Sequence, residues 1–307
     1  MPMDAVFLHG LTRELTQTLT GARIDKVQQP ERDLLLLSVR TQSGNASCSC
    51  TAASAARACI SRAARLKIPP NRRCSVCSCA STSSVRASRA FPSRILSVCS
   101  SSTSREGRTW HAGQKQLVVE MLGRQSNVIL VSGDGHIIDC MRRVDSSMSE
   151  TRQVQPGLFY RLPLRQDKPV LFDTTPEQRA QLLSGPVTAA TLDKWLLGLF
   201  SGVSPLLCRE VCFRALGDAS PRLERLDDAQ RARLEHELDA LVFSVETNNL
   251  APTMLLDGDR PKDFSAVPIL QYQDALECRG CGSFPSCWTN FISAATRRRP
   301  CAAARRS

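Results

Sequence analysis

Apolar and polar positions along this chain follow regular periods in some blocks and none in two others. In the first ordered block, Leu8, Leu11, Leu15 and Leu19 recur at helical spacing on one face. Asp4 is placed to cap the start of that helix and Gly21 to stop it. Arg23 to Gln28 and Leu34 to Arg40 read as strands around a turn at Gln29 to Asp33. The second strand is nearly all apolar, which predicts cover on both faces. The pattern returns at Gln116, where Leu117, Val119 and Met121 alternate with Val118, Glu120 and Leu122. Gly123 to Asn127 is expected to connect this strand to Val128–Val131, and Ser132-Gly133-Asp134-Gly135 to turn the chain into a third strand, His136 to Val144.

Beyond residue 175 the period becomes helical. Thr175-Pro176-Glu177-Gln178 has the form of a capping box with proline at the first helical position. A short apolar helix, Thr191 to Phe200, precedes a tight turn, Ser201 to Ser204. Pro205 opens a second helix and Gly217 closes it, and a third runs from about Asp228 to Phe243 with Leu234, Leu238 and Leu241 on one face. Thr253 to Leu256 and Asp263 to Leu270 are expected to be strands returning to the first sheet. The predicted class is α+β: a β-rich domain over 1–175, a helical module over 176–248, and the returning strands over 249–278.

The two aperiodic blocks change the reading of the charge. The net charge of +11 would point to nucleic acid, but residues 43–105 carry ten Lys or Arg and no acid, and 278–307 carry six Arg and no acid. Those windows exceed the whole surplus, so the rest of the chain is acidic. They also hold most of the 14 cysteines. Their mixture of Ser, Ala, Arg, Cys and Pro is what a GC-rich gene gives when read out of frame. Residues 45–112 are therefore expected to be aberrant and disordered, and 279–307 to be an aberrant tail. Zinc held by Cys74, Cys77, Cys278 and Cys281 is the competing reading, but the two CxxC pairs lie far apart in sequence; disulfides fit poorly with a chain that starts without a basic signal segment.

Candidate chemistry is sparse. The four histidines are scattered, and no P-loop, GxSxG or HExxH occurs, so no catalytic residue, metal ligand or cofactor is expected and the chain is not read as an enzyme. No apolar run approaches the roughly 20 residues a membrane span needs, which points to the cytoplasm. Two stretches could meet RNA. Phe200-Ser201-Gly202-Val203-Ser204-Pro205 fits a helix-hairpin-helix: Gly202 permits positive φ, Ser204 can cap the second helix, and the helix start could hold a phosphate with outward-facing N–H groups. An ordinary turn between packed helices fits equally. Arg124 and Asn127 stand at a strand end, where a guanidinium could pair a phosphate and an amide could meet a base edge. Glu120 either faces solvent or accepts from base amino groups.

Three segments together resemble one family: Met1-Pro2-Met3-Asp4-Ala5-Val6-Phe7-Leu8-His9, Gly21 to Pro30, and Val119 to Asn127. They look like the N-terminal domain of the NFACT family, which includes bacterial RqcH and was once labelled fibronectin-binding protein A. The resemblance resumes at Pro156-Gly157, Gln166-Asp167-Lys168 and the 200–205 turn with Arg209-Glu210, and covers residues 1–44 and 113–278. It implies a β-rich sheet with a helix, related to that of formamidopyrimidine-DNA glycosylases, followed by a helix-hairpin-helix. It further implies a factor of ribosome-associated quality control that binds the large ribosomal subunit carrying peptidyl-tRNA. Such a factor recruits tRNA, in bacteria alanine tRNA, for C-terminal tailing of stalled chains. By the same resemblance Glu120, Met121, Leu122, Gly123, Arg124 and Asn127 are RNA-binding positions, joined by Gly202, Ser204 and Arg209 of the hairpin. The family's Asp-Arg pair has no counterpart in the aperiodic window, and its coiled coil and C-terminal domain do not follow Glu277, so the chain reads as truncated. A DNA glycosylase relative is the alternative, although Met3 stands where an acid should follow Pro2; an adhesin for fibronectin is another, without an export signal to support it.

Overall fold

The computed structural model describes residues 3–31, 33–41, 44–51, 59–62, 86–87, 95–100, 115–122, 125–164 and 167–297. They fall into two compact units, one holding Leu11–Leu164 with Trp288–Ile292, the other Met3–Gly10, Arg165–Cys287 and the chain from Ser293.

In the first unit, β1 (Arg23–Glu31), β2 (Leu34–Thr41), β3 (Gly44–Thr51) and β4 (Cys59–Arg62) form an antiparallel meander. Leu35, Leu36, Leu37 and Val39 of β2 are buried, as the apolar run predicts. A second sheet has the order β5 (Arg86–Ala87), β6 (Ile95–Ser100), β7 (Lys115–Glu120), β8 (Asn127–Val131) and β9 (Ile137–Cys140). Every residue of β8 is buried, and with Val118, Ile137, Cys140 and Val154 its Ile129 and Val131 make a small core.

The expectation of disorder from 45 to 112 is corrected where that window is described. β3 pairs with β2 from Leu34↔Thr51 to Thr41↔Gly44, and β6 pairs with β7 from Ile95↔Glu120 to Ser100↔Lys115. A ladder satisfies backbone donors and acceptors whatever the side chains, so the missing apolar alternation does not prevent a strand from adding to an existing edge. The remainder of the window, Cys74 and Cys77 included, lies outside the described residues.

The second unit takes up only the part of α1 (Ala5–Leu19) that ends at Gly10: Asp4 caps this helix by accepting the Phe7 N–H at 2.8 Å. The capping box at Thr175 opens α2 (Pro176–Leu183), and α3 (Leu192–Leu199), α4 (Pro205–Leu216) and α5 (Asp228–Glu246) follow. Leu192, Trp195, Cys212, Leu234 and Leu238 share its helical core. Gly217 ends α4 in the left-handed region at φ 77°.

The strands beyond α5 do not return to the first unit's sheets. β10 (Thr253–Asp257) and β11 (Arg260–Ser265) pair as a hairpin, and β12 (Glu277–Gly280) takes the other edge of β10. With both its edges filled locally, β10 has no ladder left to offer. The tail is likewise corrected: α6 (Phe284–Arg297) buries Phe284, Cys287, Trp288 and Ile292, which recur at helical spacing. Phe7 packs edge-on against Phe264 and Phe284, with ring centroids 4.6 and 5.1 Å away.

Candidate functional site

β7 ends on a carboxylate that burial would punish unless it were paired. Glu120 is 0% exposed, and its oxygens accept Arg152 Nη1 at 3.1 Å, Arg152 Nη2, and the Tyr160 hydroxyl at 2.8 Å. Arg152 also donates through Nε to the Arg161 carbonyl at 2.8 Å, and its guanidinium lies 5.6 Å from the Tyr160 ring centroid. The fork is bidentate, and all of its partners come from the segment after β9. Burial and the adjacent Glu120 charge push the Tyr160 phenol well above its ordinary value, so it remains a donor.

Opposite Glu120 in the ladder stands Asn127, also buried. Its amide donates to the Arg142 carbonyl at 2.8 Å and accepts the Arg142 N–H at 3.0 Å and the Val128 N–H at 2.9 Å. Glu120 and Asn127, two of the polar side chains that sequence reasoning aimed at RNA, thus spend these bonds inside the protein. Met121 is buried and Leu122 half-buried, and the Gln125 N–H donates to the Leu122 carbonyl at 3.2 Å. Gly123 and Arg124 lie outside the described residues. Glu120 and Asn127 act as a clamp at the root of the 121–126 connection.

The turn between α3 and α4 is also packed inward. Gly202 has φ 87°, its carbonyl accepts the Ala5 N–H at 2.9 Å, and an added Cβ would meet the Ala5 Cβ and Val170 Cγ1 at 3.4 Å. Ser204 is buried; its hydroxyl accepts the Leu207 N–H at 3.3 Å and donates to Asp4 Oδ2 at 2.9 Å. At the start of α4 Leu206 and Leu207 are buried and the Leu207 N–H is taken by Ser204, so that N–H does not face outward, and the Ser204 hydroxyl joins the turn to the Asp4 carboxylate that caps α1. Arg209 is half-buried and donates to Gln271 Oε1 at 3.2 Å and the Tyr272 hydroxyl at 3.3 Å. Its neighbour Glu210 accepts Arg214 Nε at 2.7 Å and the Leu270 and Gln271 N–H groups at 3.0 Å. This pair clamps 270–272 to α4.

Sequence reasoning missed Arg152 and Tyr160. Their only signal was a buried acid on β7 that required a partner, and nothing local says which arginine supplies it. No group of three or more His, Cys, Asp or Glu that could hold a metal occurs among the described residues, and no helix there is long and apolar enough to cross a membrane.

Small antiparallel sheets with helices, and a carboxylate clamp at a strand corner, define a mixed α+β chain of known type. Residues 4–75 and 108–305 match the NFACT N-terminal and middle domains, and the chain belongs to that family. It is similar to the Rqc2 homolog RqcH of Bacillus subtilis, 30% identical over 220 residues that cover 70% of this chain and 38% of that protein. RqcH of Streptococcus suis is 28% identical over 168 residues, covering 53% of this chain and 30% of its own length. The matched part therefore spans less than two fifths of either relative. Among solved structures, the N-terminal part of the fibronectin/fibrinogen-binding protein of Streptococcus suis and the fibrinogen binding protein of Staphylococcus aureus each superpose with a TM-score of 0.74. Each is 21% identical, with 95% of this chain and 99% of the other covered, and at that identity the likeness is one of fold.

Proposed function

We propose that this chain is the N-terminal part of a cytoplasmic factor of ribosome-associated quality control that binds RNA. In this reading the factor engages the large ribosomal subunit carrying peptidyl-tRNA. It recruits tRNA, alanine tRNA by family resemblance, so that the ribosome itself extends the stalled chain at its C-terminus. The factor positions tRNA and carries out no hydrolysis. The observation that carries the proposal is the 30% identity to RqcH over 220 residues. The first unit is read as a sheet of the formamidopyrimidine-DNA-glycosylase type, and α3 with α4 as a helix-hairpin-helix whose turn serves packing. RNA meets the 121–126 connection through Gly123, Arg124 and the backbone, while Glu120 and Asn127 hold that connection from below.

Affinity capture from bacterial lysate, followed by RNA sequencing and mass spectrometry, tests it. The expected outcome is enrichment of large-subunit ribosomal RNA and of tRNA. Capture of fibronectin, or base excision on damaged duplex DNA without such enrichment, would overturn it.

A further inference from the structure

We infer that Phe159, with His136 against it and Arg161 beside it, is a stacking site for one unpaired RNA base; the inference rests on the RNA-binding reading above. Phe159 and His136 form an antiparallel bridge flanked by the Ile137 N–H on the Leu158 carbonyl at 2.8 Å and the Tyr160 N–H on the Gly135 carbonyl at 2.9 Å. They are therefore a non-hydrogen-bonded pair, the kind whose side chains approach most closely. Their ring centroids are 3.9 Å apart and the planes are inclined by 34°. Gly135 lies against the phenyl ring at φ 91°, its Cβ position 3.6 Å from Phe159 Cδ1.

A cross-strand aromatic pair usually earns its place by burial. This one does not: Phe159 remains 59% exposed. The imidazole is held in turn, because Nδ1 sits 3.0 Å from Asp134 Oδ2. Bonds from Ser132 and His136 pull the Asp134 carboxyl down to about 2, so it stays an acceptor at any physiological pH. The result is an exposed phenyl ring packed on an imidazole that an aspartate holds.

Arg161 decides the class of ligand. Arg161 follows Phe159 by two residues, so it lies within about 7 Å of it along the chain. Arg161 is exposed and forms no ion pair among the described residues. A ring that takes a base and a guanidinium that takes its phosphate are the two contacts by which proteins hold single strands without reading sequence. Duplex RNA keeps its bases stacked and offers no free face.

The test uses the whole chain and fluorescence anisotropy with a labelled single-stranded oligouridine of about 10 nucleotides, beside a blunt-ended RNA duplex with no unpaired base. Phe159→Leu keeps an apolar side chain and removes the π-face; Phe159→Trp restores one. The expected result is a 5- to 100-fold loss of single-strand affinity in Phe159→Leu, little change for the duplex, and recovery in Phe159→Trp, on the scale of about one stacked base. Wild-type binding left within twofold by Phe159→Leu, or lost equally for both RNAs, overturns the subsite and leaves the RNA reading standing. Absence of any RNA binding by the wild-type chain overturns both.

Discussion

Asp263 shows what burial does to a single carboxyl. It lies on β11 and accepts the Phe264 N–H at 3.0 Å. Burial first, and the neighbouring Asp4 charge after it, push it up from 3.8 to about 6, against the pull of the Phe264 N–H and Arg209. A raised value means that the folded chain holds this proton more tightly than the unfolded one does. The stabilisation it gives is complete below about pH 4 and is lost as pH rises through about 6, so at neutral pH the ionised group costs stability. Asp263→Asn keeps an oxygen for Phe264 and cannot ionise. Thermal melts should show the variant more stable than wild type at pH 7.5, by on the order of 2 kcal/mol, with the gain vanishing near pH 4. A gain that does not depend on pH would place its cause elsewhere.

At the scale of elements, the corner between β7 and β8 depends on an ion pair that closes over 32 residues, with a hydroxyl bond closing over 40. Arg152→Ala would leave Glu120 buried without its cation, a loss of about 3 kcal/mol measurable in urea. Replacing both members, Glu120→Leu with Arg152→Met, should cost clearly less; an equal or greater loss would show that the pair does not act as a unit. These distances along the chain also explain what could be read in advance. Asp4, Thr175, Ser204 and Gly217 each satisfy backbone groups within a few residues, and their helix ends were legible for that reason. The face of α5 was legible because Leu234, Leu238 and Leu241 repeat locally. Glu120 was placed correctly on its strand, but its environment was not legible, because Arg152 and Tyr160 are brought to it by tertiary folding. β3 and α6 were missed for a different reason: the first adds to an existing ladder without an apolar pattern, and the second was discounted along with the arginine-rich sequence around it.

For the whole molecule, the charge map sets an expectation for RNA. The surplus that gives +11 lies in 43–105 and 278–307, whereas the polar groups at the described β7–β8 corner are used internally. If the basic windows meet phosphates, affinity should fall steeply with salt, since each contacted phosphate contributes about −0.7 to the slope of log K against log salt. Titrations between about 50 and 200 mM salt should give a slope of −2 or steeper. A slope no steeper than about −1.4, the share of two phosphate contacts, would confine binding to the corner and the Phe159 face. Phe159→Leu should lower affinity at every salt concentration and leave the slope alone, because stacking releases few counterions.

The hydrogen bond from Ser204 to Asp4 spans 200 positions of the chain. On a translating ribosome that adds roughly 5–20 residues per second, the beginning of α1 would wait roughly 10–40 s for the turn that completes its cap. Throughout that interval Val6, Phe7 and Leu8, all buried in the finished protein, have no packing partner from 165–287 to meet. The first helix to be made is therefore among the last to be secured, and a protein read here as a guardian of stalled translation would itself be most vulnerable during a pause midway through its own synthesis.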